Sequence, residues 1–426
     1  MSFLLVLHKR LNVSCTVFCL ANDRVEALTD FQIDWLDSPP ESSSTGWKTS
    51  FYFEQGYIQA LIQGSGAKGR FLFPCIRQGN EIIAWGCFQE LILYREELDE
   101  LGRLFASDSR FAIKVEGLVK SLIHLGSGKK GIRILIAGNC QVTGPYGMTF
   151  SPHLSESVKA ECWSNILKQA EQQFGPYSIT LVKDFNDNQD LIIDSLRTDG
   201  YRRVPTLPVM RFHLDKSWNQ YDDYLNAMAS KYRIRAKAAR KKGVKLQREI
   251  WTEVEIKEHL EQINQLYRNV FDKARFRLFR ISPNYFLHLK QAFQERFLFK
   301  AYLFDGKLVG FSTFLIDPVQ SDAHLIGIDY SANKQFSLYQ NMLYDYVDTA
   351  IEHQTACIDF GRTAMEIKST IGAIPEDSPV IVKMRNPLLN GMACILVENS
   401  TPAPWIQRHP FREEEHLTLA ESSDSN

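Results

Sequence analysis

The stretch AHLIGIDYSANKQFSLYQNMLYDYVDTAIEHQTACIDFG, residues 323–361, has the pattern of a strand, a helix and a second strand. Both ends are apolar, whereas residues 336–353 have the apolar spacing of a helix. The polar segment SANKQFS predicts a turn before a helix that starts near Ser337 and has Tyr339 in its first turn. Two strands joined by one helix run parallel, so this stretch predicts an α/β sheet.

The segment before this stretch is a β-hairpin. FLFKAYLFDGKLVGFSTFLID, residues 297–317, has two strand patterns joined by an Asp-Gly turn at residues 305 and 306. A hairpin beside a parallel crossover makes a mixed sheet rather than an all-parallel one.

Strand and helix patterns alternate in the first half of the chain as well. Helices are expected at 99–125, 156–174 and 191–199. Five segments have strand patterns: 69–78, 81–88, 132–138, 178–185 and 206–214. The predicted fold is therefore α/β with mixed (α+β-like) sheets in two similar halves, although the sequence has no strict internal repeat.

The length of 426 residues is sufficient for about two domains. We predict one domain in residues 1–205, a second in 206–395, and a disordered polar tail in 396–426. The formal net charge of −1 excludes a global electrostatic attraction to nucleic acid or membranes, so any basic site must be local.

The eight cysteines are scattered without a CxxC pair and are expected to be reduced thiols of a cytoplasmic protein. The ten histidines form no pair with metal-ligand spacing, so no metal is expected. The apolar run at the N-terminus is short and is interrupted by Lys9 and Arg10, which argues against a signal peptide. No segment has the roughly 18 apolar residues of a membrane span, so no membrane insertion is expected.

A strongly basic helix is predicted over residues 219–243. Its segment SKYRIRAKAARKKGVK, residues 230–245, contains eight Lys and Arg residues. Arg233, Lys237 and Arg240 share one face of this helix with Lys241. The pattern fits either a solvated helix face or a site for the phosphates of a cofactor, a nucleotide-linked sugar or an RNA.

The second charged motif is DFGRTAMEIKSTIG, residues 359–372. A strand-to-helix turn needs Gly361, but it does not need the charges of Arg362, Glu366 and Lys368. Lys368 is either a surface lysine or a cation that stabilises an oxyanion or a phosphate.

Three further residues of the crossover are site candidates. Gly327 lies inside a strand, where glycine often marks the close approach of a ligand or of another backbone. Asp329 is either a strand-end cap or a catalytic carboxylate, and Tyr339 is either a packing aromatic or a catalytic phenol. The geometry of the crossover places Asp329 and residues 359–368 at one end of the sheet, where ligand clefts form.

Both charged motifs resemble a known family. IDFGRTAMEIKSTIGA, residues 358–373, resembles the C-terminal signature of the Fem-like, BioF2-like branch of the GNAT superfamily, which includes peptidoglycan-biosynthesis enzymes. YLNAMASKYRIRAKAARKKG, residues 224–243, resembles the basic helix of the same branch. The resemblance covers residues 205–385 and extends to 50–205 only in the order of elements. The chain departs from the family pattern at Thr363 and Ile367, and it lacks the usual pyrophosphate loop for coenzyme A.

The resemblance implies tandem GNAT-like domains and transfer of an acyl group to an amine. The donor would be acyl-CoA or an aminoacyl-tRNA, and the acceptor a small molecule or a cell-envelope precursor. Residues that match the family motifs are Lys368, Asp359, Gly361, Arg362, Gly372 and Arg233. We expect Lys368 to stabilise the oxyanion, Asp329 or a chain of water molecules to act as the base, and Tyr339 to protonate the leaving group.

Two other interpretations remain open at this point. The basic helix could bind RNA, including tRNA, without any chemistry. The departures from the family motif also permit a scaffold protein with a degenerate GNAT fold. Acyl transfer is the first hypothesis because Lys368, Arg233 and both motif glycines are present.

Overall fold

The computed structural model describes residues 31–41, 44–65, 69–94, 131–186, 189–204, 206–273, 280–391 and 405–412. The N-terminal apolar run and the helix predicted at 99–125 lie outside these residues. Within the described part of the chain, no helix is both long enough and apolar enough to cross a bilayer.

Two mixed sheets form the framework of the molecule. Strands of the first sheet are β1 (Phe31–Leu36), β2 (Gly69–Gln78), β3 (Glu81–Gly86), β4 (Phe88–Leu93), β5 (Ile132–Ala137), β6 (Met148–Phe150), β7 (Ile179–Val182) and β8 (Arg202–Val204). Strands of the second sheet are β9 (Val209–His213), β10 (Gln247–Ile250), β11 (Phe297–Phe304), β12 (Lys307–Leu315), β13 (Gln320–Ile328), β14 (Cys357–Asp359) and β15 (Ile374–Glu376). A last strand, β16 (Val380–Met384), returns to the first sheet.

Helices cover the faces of both sheets. In the first half they are α1 (Gln55–Ser65), α2 (Glu156–Gln173) and α3 (Asp190–Thr198). In the second half they are α4 (Tyr221–Ala227), α5 (Ser230–Lys242), α6 (Glu253–Glu258), α7 (Leu260–Phe271), α8 (Asn284–Phe293), α9 (Tyr330–Phe336), α10 (Leu338–Glu352) and α11 (Met365–Ser369).

The two sheets repeat one strand arrangement. The first has the order β6-β3-β2-β4-β5-β7-β16-β8, with β1 also paired to β2, and the second has the order β10-β11-β12-β13-β14-β9-β15. Among the described residues each sheet has one parallel pair, β5 with β7 and β13 with β14, and the remaining pairs are antiparallel. The predicted fold class, α/β with mixed sheets in two similar halves, is therefore confirmed.

One strand crosses between the halves. β16 lies between β7 and β8 in the first sheet, although it follows every strand of the second sheet in sequence. β9 holds the equivalent position in the second sheet, between β14 and β15. We keep 1–205 and 206–395 as proposed domain segments, with the qualification that residues 380–384 complete the first sheet.

The halves also share a hydrophobic core. Phe51 stacks on Phe293 with ring centroids 3.9 Å apart. At the edge of this contact, Arg296 makes an ion pair with Glu54, with 2.7 Å between nitrogen and oxygen. Burial of these aromatic side chains is the main force that holds the halves together, because surface ion pairs contribute little.

The hairpin predicted at 297–317 is present as β11 and β12, joined at Asp305 and Gly306. The basic helix predicted as one element is instead two helices, because Met228 is extended and bridges to Phe411. SANKQFS is not a turn but mainly helix α9, and left-handed Ser337 separates it from α10. Contacts distant in sequence override the local pattern at Met228.

The prediction of a disordered tail from residue 396 onward is wrong for residues 405–412. Phe411 is buried against the second half. The Ala229 amide donates to the Pro410 carbonyl over 2.8 Å, and Gln407 donates to the carbonyl of Ala373 over 3.2 Å. Because the segment is polar in composition, the burial of Phe411 could not be recognised from the sequence.

Gly327 of β13 lies directly under helix α7. A Cβ atom at this position would be 2.1 Å from the Phe311 ring and 2.8 Å from the Cβ of Leu266. The glycine allows α7 to pack closely on the sheet. The position is filled by these side chains, so Gly327 does not have the predicted role in ligand binding.

We expect Gly327→Ala to lower the free energy of unfolding by about 1–3 kcal/mol, because the extra methyl group must displace a packed ring. Urea denaturation measures this change. Gly391→Ala is the matched control, since a Cβ there would meet nothing within 4 Å. Equal stability of the two variants would show that α7 can move without cost.

Candidate functional site

The DFG segment is a turn at the end of β14. Asp359 is the last residue of the strand, and Gly361 has a φ of +65°, a left-handed conformation that favours glycine. Helix α11 begins four residues later at Met365.

Lys368 is buried and stabilises this turn. Its ammonium group donates to three backbone carbonyls: Phe360 at 2.6 Å, Arg362 at 2.8 Å and Gly361 at 3.3 Å. Burial lowers the pKa of Lys368 to about 7, and the charge of Asp359 offsets part of that effect. An ammonium group has three N–H donors, so none remains for an oxyanion. The geometry therefore does not support the oxyanion role that we predicted for Lys368.

We expect Lys368→Met to destabilise the protein by about 1–3 kcal/mol, because three carbonyls of the turn lose their donor. Chemical denaturation measures the change, and Lys334→Met on the exposed face of α9 is the control. A variant with unchanged stability and reduced turnover would instead support the catalytic role.

Arg362 joins the same turn to the first half. Its guanidinium donates to Asp184 Oδ1 at 2.6 Å and to the Ser378 carbonyl at 2.7 Å. It also donates to Thr206 Oγ1 at 2.8 Å and to the Leu207 carbonyl. Asp184 is fully buried, so this contact compensates a charge that water does not reach. Arg362 is thus a structural clamp rather than a free group for substrate binding.

Glu366, the remaining charge of the motif, makes an ion pair with Arg408 of the 405–412 segment. The charges of Arg362, Glu366 and Lys368 therefore hold the turn to the first half, to the C-terminal segment and to its own carbonyls.

Asp359 belongs to a row of charged residues on one face of the second sheet. In the strand register, Asp322 of β13 lies opposite Asp359, and Asp359 lies opposite Arg211 of β9. Directly opposed residues of neighbouring strands point to the same face. Two carboxylates and a guanidinium therefore lie side by side across three strands.

The contacts of Asp359 leave one of its oxygens without a hydrogen bond. Oδ1 accepts from the Gly361 amide at 2.6 Å. Oδ2 lies 3.5 Å from Arg211 Nε, and neither atom has a hydrogen-bond partner among the described residues. Arg211 also makes an ion pair with Glu376, which in turn contacts His213 at 2.9 Å.

His324 lies on the same strand and face as Asp322. Its Nδ1 lies 3.7 Å from Asp322 Oδ1, and its Nε2 lies 2.8 Å from the hydroxyl of Tyr285. The Tyr285 hydroxyl donates to Tyr57 of the first half over 3.2 Å. A chain of polar contacts therefore crosses from the second sheet into the first half.

Two more tyrosines of the first half complete the site. The rings of Tyr52 and Tyr146 lie 4.2 Å apart, and Gln320 of β13 donates to the Tyr146 hydroxyl over 3.5 Å. Burial and then the charge of Asp322 or Asp359 raise the pKa of both phenols well above the usual value. We call the set Asp322, Asp359, Arg211, His324, Tyr52 and Tyr146 the carboxylate cluster.

The protonation of Asp359 is perturbed by its surroundings. Burial, followed by the charge of Asp322, raises its pKa to about 7, and Arg211 with the Gly361 amide offsets part of this effect. A carboxyl group with this pKa can both accept and release a proton near neutral pH.

The raised pKa of Asp359 predicts a pH-dependent contribution to stability. Folded Asp359 keeps its proton up to about pH 7, whereas the unfolded chain releases it near pH 4. Rising pH between these values therefore favours the unfolded state. We expect the stability of Asp359→Asn relative to the unaltered protein to increase over this window, by at most about 1.4 kcal/mol per pH unit.

Urea denaturation at a series of pH values from 4 to 7 tests this slope. Exposed Asp194→Asn in α3 is the control and should give a difference that does not change with pH. A flat difference for Asp359→Asn would mean that its carboxyl titrates normally.

Asp329 is a helix cap rather than a base. Its carboxylate accepts from the Ser331 amide at 2.8 Å and the Ser331 hydroxyl at 2.6 Å, at the start of α9. These hydrogen bonds lower the pKa of Asp329, which makes it a weaker base than an ordinary aspartate. The proposed catalytic role of Asp329 therefore lacks support from its geometry.

Tyr339 lies in the first turn of α10, as we predicted. Its ring packs against two apolar clusters of the second half. Burial raises its pKa, which makes it a poor acid for the leaving group. The contacts favour a packing role for this side chain.

The three basic residues predicted to bind the donor are in different environments. Arg240 makes an ion pair with buried Asp345, so its charge is already compensated. Arg233 is half-buried and makes one weak contact, 3.4 Å to the Asn226 carbonyl. Lys237 is exposed and has no ion-pair partner within the described ranges. α5 therefore presents Lys237, but not Arg240, to an anion.

No group of three His, Cys, Asp or Glu residues in the described segments could hold a metal ion. The carboxylate cluster has only two carboxylates in a row, and Arg211 stands beside them. Its composition suits proton transfer or binding of an organic cation better than metal binding.

Sequence reasoning found Asp359 but missed most of its neighbours in the carboxylate cluster. A signal was present in QSDAH, residues 320–324, because Gln320, Asp322 and His324 alternate on one face of an apolar strand. Tyr52 and Tyr146 carry no comparable signal, since their role depends on contact between the halves.

Comparison with known proteins gives only distant likenesses. No protein-family model matches the sequence, and no curated protein matches it. The crystal structure of FemX is similar with a TM-score of 0.49 and 11% identity, over 78% of this chain and 92% of that chain. A tandem GNAT protein from the clavulanic acid biosynthesis pathway is similar with a TM-score of 0.47 and 8% sequence identity. The match covers 84% of this chain and 99% of that chain.

The C-terminal domain of a putative lysylphosphatidylglycerol synthetase from Agrobacterium fabrum gives a TM-score of 0.44 and 10% identity, over 80% of this chain and 91% of that domain. These values are too low to transfer an activity or a substrate. The strand order and the two parallel pairs of this chain show the mixed α/β fold in two similar halves that we predicted.

Proposed function

We propose that this protein is an N-acyltransferase, which transfers an acyl group from an activated ester or thioester to an amine. The observation that carries the proposal is the position of Asp359. This buried carboxyl lies beside Asp322 at the point where the only parallel strands of the described second sheet separate.

The separation of the strands creates a place for a substrate. β13 and β14 pair only from Gln320 to Asp322, and β13 then continues to Ile328 without β14, paired with β12 on its other side. The chain after Asp359 turns away at Gly361. Ligands of α/β sheets bind at the carboxyl ends of strands where neighbouring connections diverge.

The protonation of Asp359 suits the chemistry. An amine attacks an acyl carbon only when it is neutral, so its proton must be removed near neutral pH. A base with a pKa close to the working pH is the most effective one. Asp359 has that property because of burial and the charge of Asp322.

The reaction balances with the groups of the carboxylate cluster. The amine nitrogen bonds to the acyl carbon, the carbon–sulfur or carbon–oxygen bond breaks, and the nitrogen loses a proton to Asp359. The leaving group then receives a proton. That proton comes from protonated Asp359, because the raised pKa of the Tyr52 phenol makes it a poor acid.

For the donor we propose acyl-CoA, with an acetyl or other acyl group, and aminoacyl-tRNA as the second possibility. The helix that follows β13 does not suit a pyrophosphate, because Asp329 already occupies the amides at its start. Phosphates would therefore lie elsewhere, and Lys237 with Arg233 on α5 are the proposed contacts. The acceptor would be a small-molecule amine or a cell-envelope (peptidoglycan-type) precursor in the cytoplasm.

One observation favours a second function, binding of RNA without chemistry. α5 carries seven Lys and Arg residues, and only Arg240 of these has an acidic partner within the described part of the chain. A cationic helix of this kind suits the phosphates of an RNA. In this case the protein would be an RNA-binding or scaffold protein.

The test is an assay of thiol release from acetyl-CoA and longer acyl-CoAs with a panel of primary amines, from pH 5.5 to 9. We expect release that depends on the amine and rises with pH through an apparent pKa near 7. A parallel assay uses aminoacyl-tRNA as the donor. Salt-sensitive RNA binding, together with no product from either donor, would contradict the proposal and favour the second function.

A further inference from the structure

The carboxylate cluster and its neighbours carry more negative than positive charge. Three carboxylates face this region, those of Asp322, Asp359 and Glu376. Arg211 is the guanidinium that contacts two of them, at Asp359 and Glu376. Lys368 adds a second positive charge nearby, although its three donors are bound to carbonyls, so the negative charge exceeds the positive by one when all three carboxylates are ionised. Buried carboxylates in excess of their partners require either a proton or a cationic ligand.

Unpartnered buried atoms point to a missing ligand in the same place. Asp359 Oδ2 and His324 Nδ1 have no hydrogen-bond partner among the described residues, and the Tyr52 hydroxyl, which lies near Asp322, makes no hydrogen bond of normal geometry there. The Asp359 side chain is 1% exposed, Tyr52 is 5% exposed and the His324 side chain is 0% exposed. Such groups are rare in folded proteins, and each loses hydrogen bonds to water without replacing them.

Aromatic rings form one wall of this region. Tyr52 lies 4.2 Å from Tyr146 and 4.8 Å from Tyr57 between ring centroids. The faces of such rings attract cations. The side chain of Asp322 keeps 13% of its surface exposed, so the cluster is not sealed from solvent.

From these observations we infer that the carboxylate cluster is a binding site for a primary ammonium group, bounded by Asp322, Asp359 and the rings of Tyr52 and Tyr146. An ammonium group brings three N–H donors and one positive charge, which match the free oxygens and the excess negative charge. An anion would be repelled by the carboxylates.

The inference extends the proposed function, on which its catalytic part rests. The acceptor amine would enter as an ammonium ion, held by Asp322, and would release one proton to Asp359. Asp359 passes this first proton to solvent. The neutral nitrogen then forms the bond to the acyl carbon and loses its second proton to Asp359, while the bond to the leaving group breaks and the leaving group is protonated. Binding itself needs no donor and can be measured alone.

Calorimetric titration at pH 7.5 with 1,5-diaminopentane tests the site in the full-length protein. We expect saturable binding, and none by tetramethylammonium or 1-pentanol, which lack N–H donors or charge. Asp322→Asn should weaken binding by about 10- to 100-fold, the loss expected for a charge-assisted hydrogen bond. Asp194→Asn, on the exposed surface of α3, is the matched control and should bind normally.

Tyr52→Phe is a second variant in case Asp322→Asn does not fold, and it should weaken binding by about three- to tenfold. Equal binding in Asp322→Asn, or equal affinity for tetramethylammonium, would overturn the inference. Saturable binding of the diamine without acyl transfer from any donor would support the ammonium site and reject the proposed function. Acyl transfer to the diamine that Asp322→Asn leaves unchanged would reject the ammonium site alone.

Discussion

Asp359→Asn is expected to lower kcat/KM for acyl transfer by about 10²- to 10⁴-fold, the usual contribution of a general base. The substitution keeps the shape of the side chain and its hydrogen bond from Gly361, but it removes the proton acceptor. Steady-state kinetics with the best donor and amine from the screen measure the loss. The rise of rate with pH near 7 should disappear in the same variant, because the substitution removes the base whose pKa burial raises to about 7.

The control for this experiment is Asp329→Asn. Sequence reasoning made Asp329 the base, whereas the structure makes it the cap of α9. Asparagine also caps helices well, so the variant should fold normally and keep its rate within about threefold. A large loss of rate in Asp329→Asn with no loss in Asp359→Asn would reverse the assignment of the base.

Arg362→Met is expected to destabilise the protein by about 3–5 kcal/mol, the cost of removing one partner of a buried ion pair. Asp184, whose side chain is fully buried, keeps Lys183 at 3.4 Å and the Gly144 amide at 3.0 Å, but loses its shortest contact, 2.6 Å to the guanidinium. Carbonyls of Leu207 and Ser378 lose donors at the same time. Urea denaturation followed by circular dichroism measures the change.

Arg408→Met is the matched control, because its ion pair with Glu366 is largely exposed. Its cost should be about 0–1 kcal/mol. If Arg362→Met costs no more than this control, the contact between the turn and the first half does not stabilise the fold. A double variant with Asp184→Asn should recover part of the loss, because the buried charge that has lost its guanidinium partner is removed as well.

The expected effects of the Asp359 and Arg362 variants both depend on contact between the two halves. Asp184 and Tyr52 belong to the first half, and Arg362 and Asp359 to the second. β16 also links the two halves, because residues 380–384 follow the second sheet in sequence and complete the first sheet. Changes at the contact should therefore affect stability and activity together.

Much of the fold followed from local patterns. The hairpin at 297–317 and the helix at 156–173 have the bounds that turn chemistry and apolar spacing predict. The crossover between β13 and β14 was also predictable, because a helix between two buried strands makes them parallel. The position of β16 was not predictable, since a strand pattern does not identify its partner.

The site was predicted only in part. Sequence placed Asp359, Gly361, Arg362 and Lys368 at the end of a strand, and all four lie there. Their roles differ from expectation, because Arg362 and Lys368 are bound to partners that lie near them only in the folded chain. Only the register of β13 against β14 shows that Asp322 lies beside Asp359.

The sequence by itself determined most of the alternation of strands and helices, the mixed α/β class and the segment that contains the site. These features depend on the spacing of apolar residues and on turn residues, which act over a few positions of the chain. Only the tertiary structure decided which charges are structural and which carboxyl group has a raised pKa. Partners and burial come from strands and halves far apart in sequence, and burial with a neighbouring charge sets the pKa of Asp359.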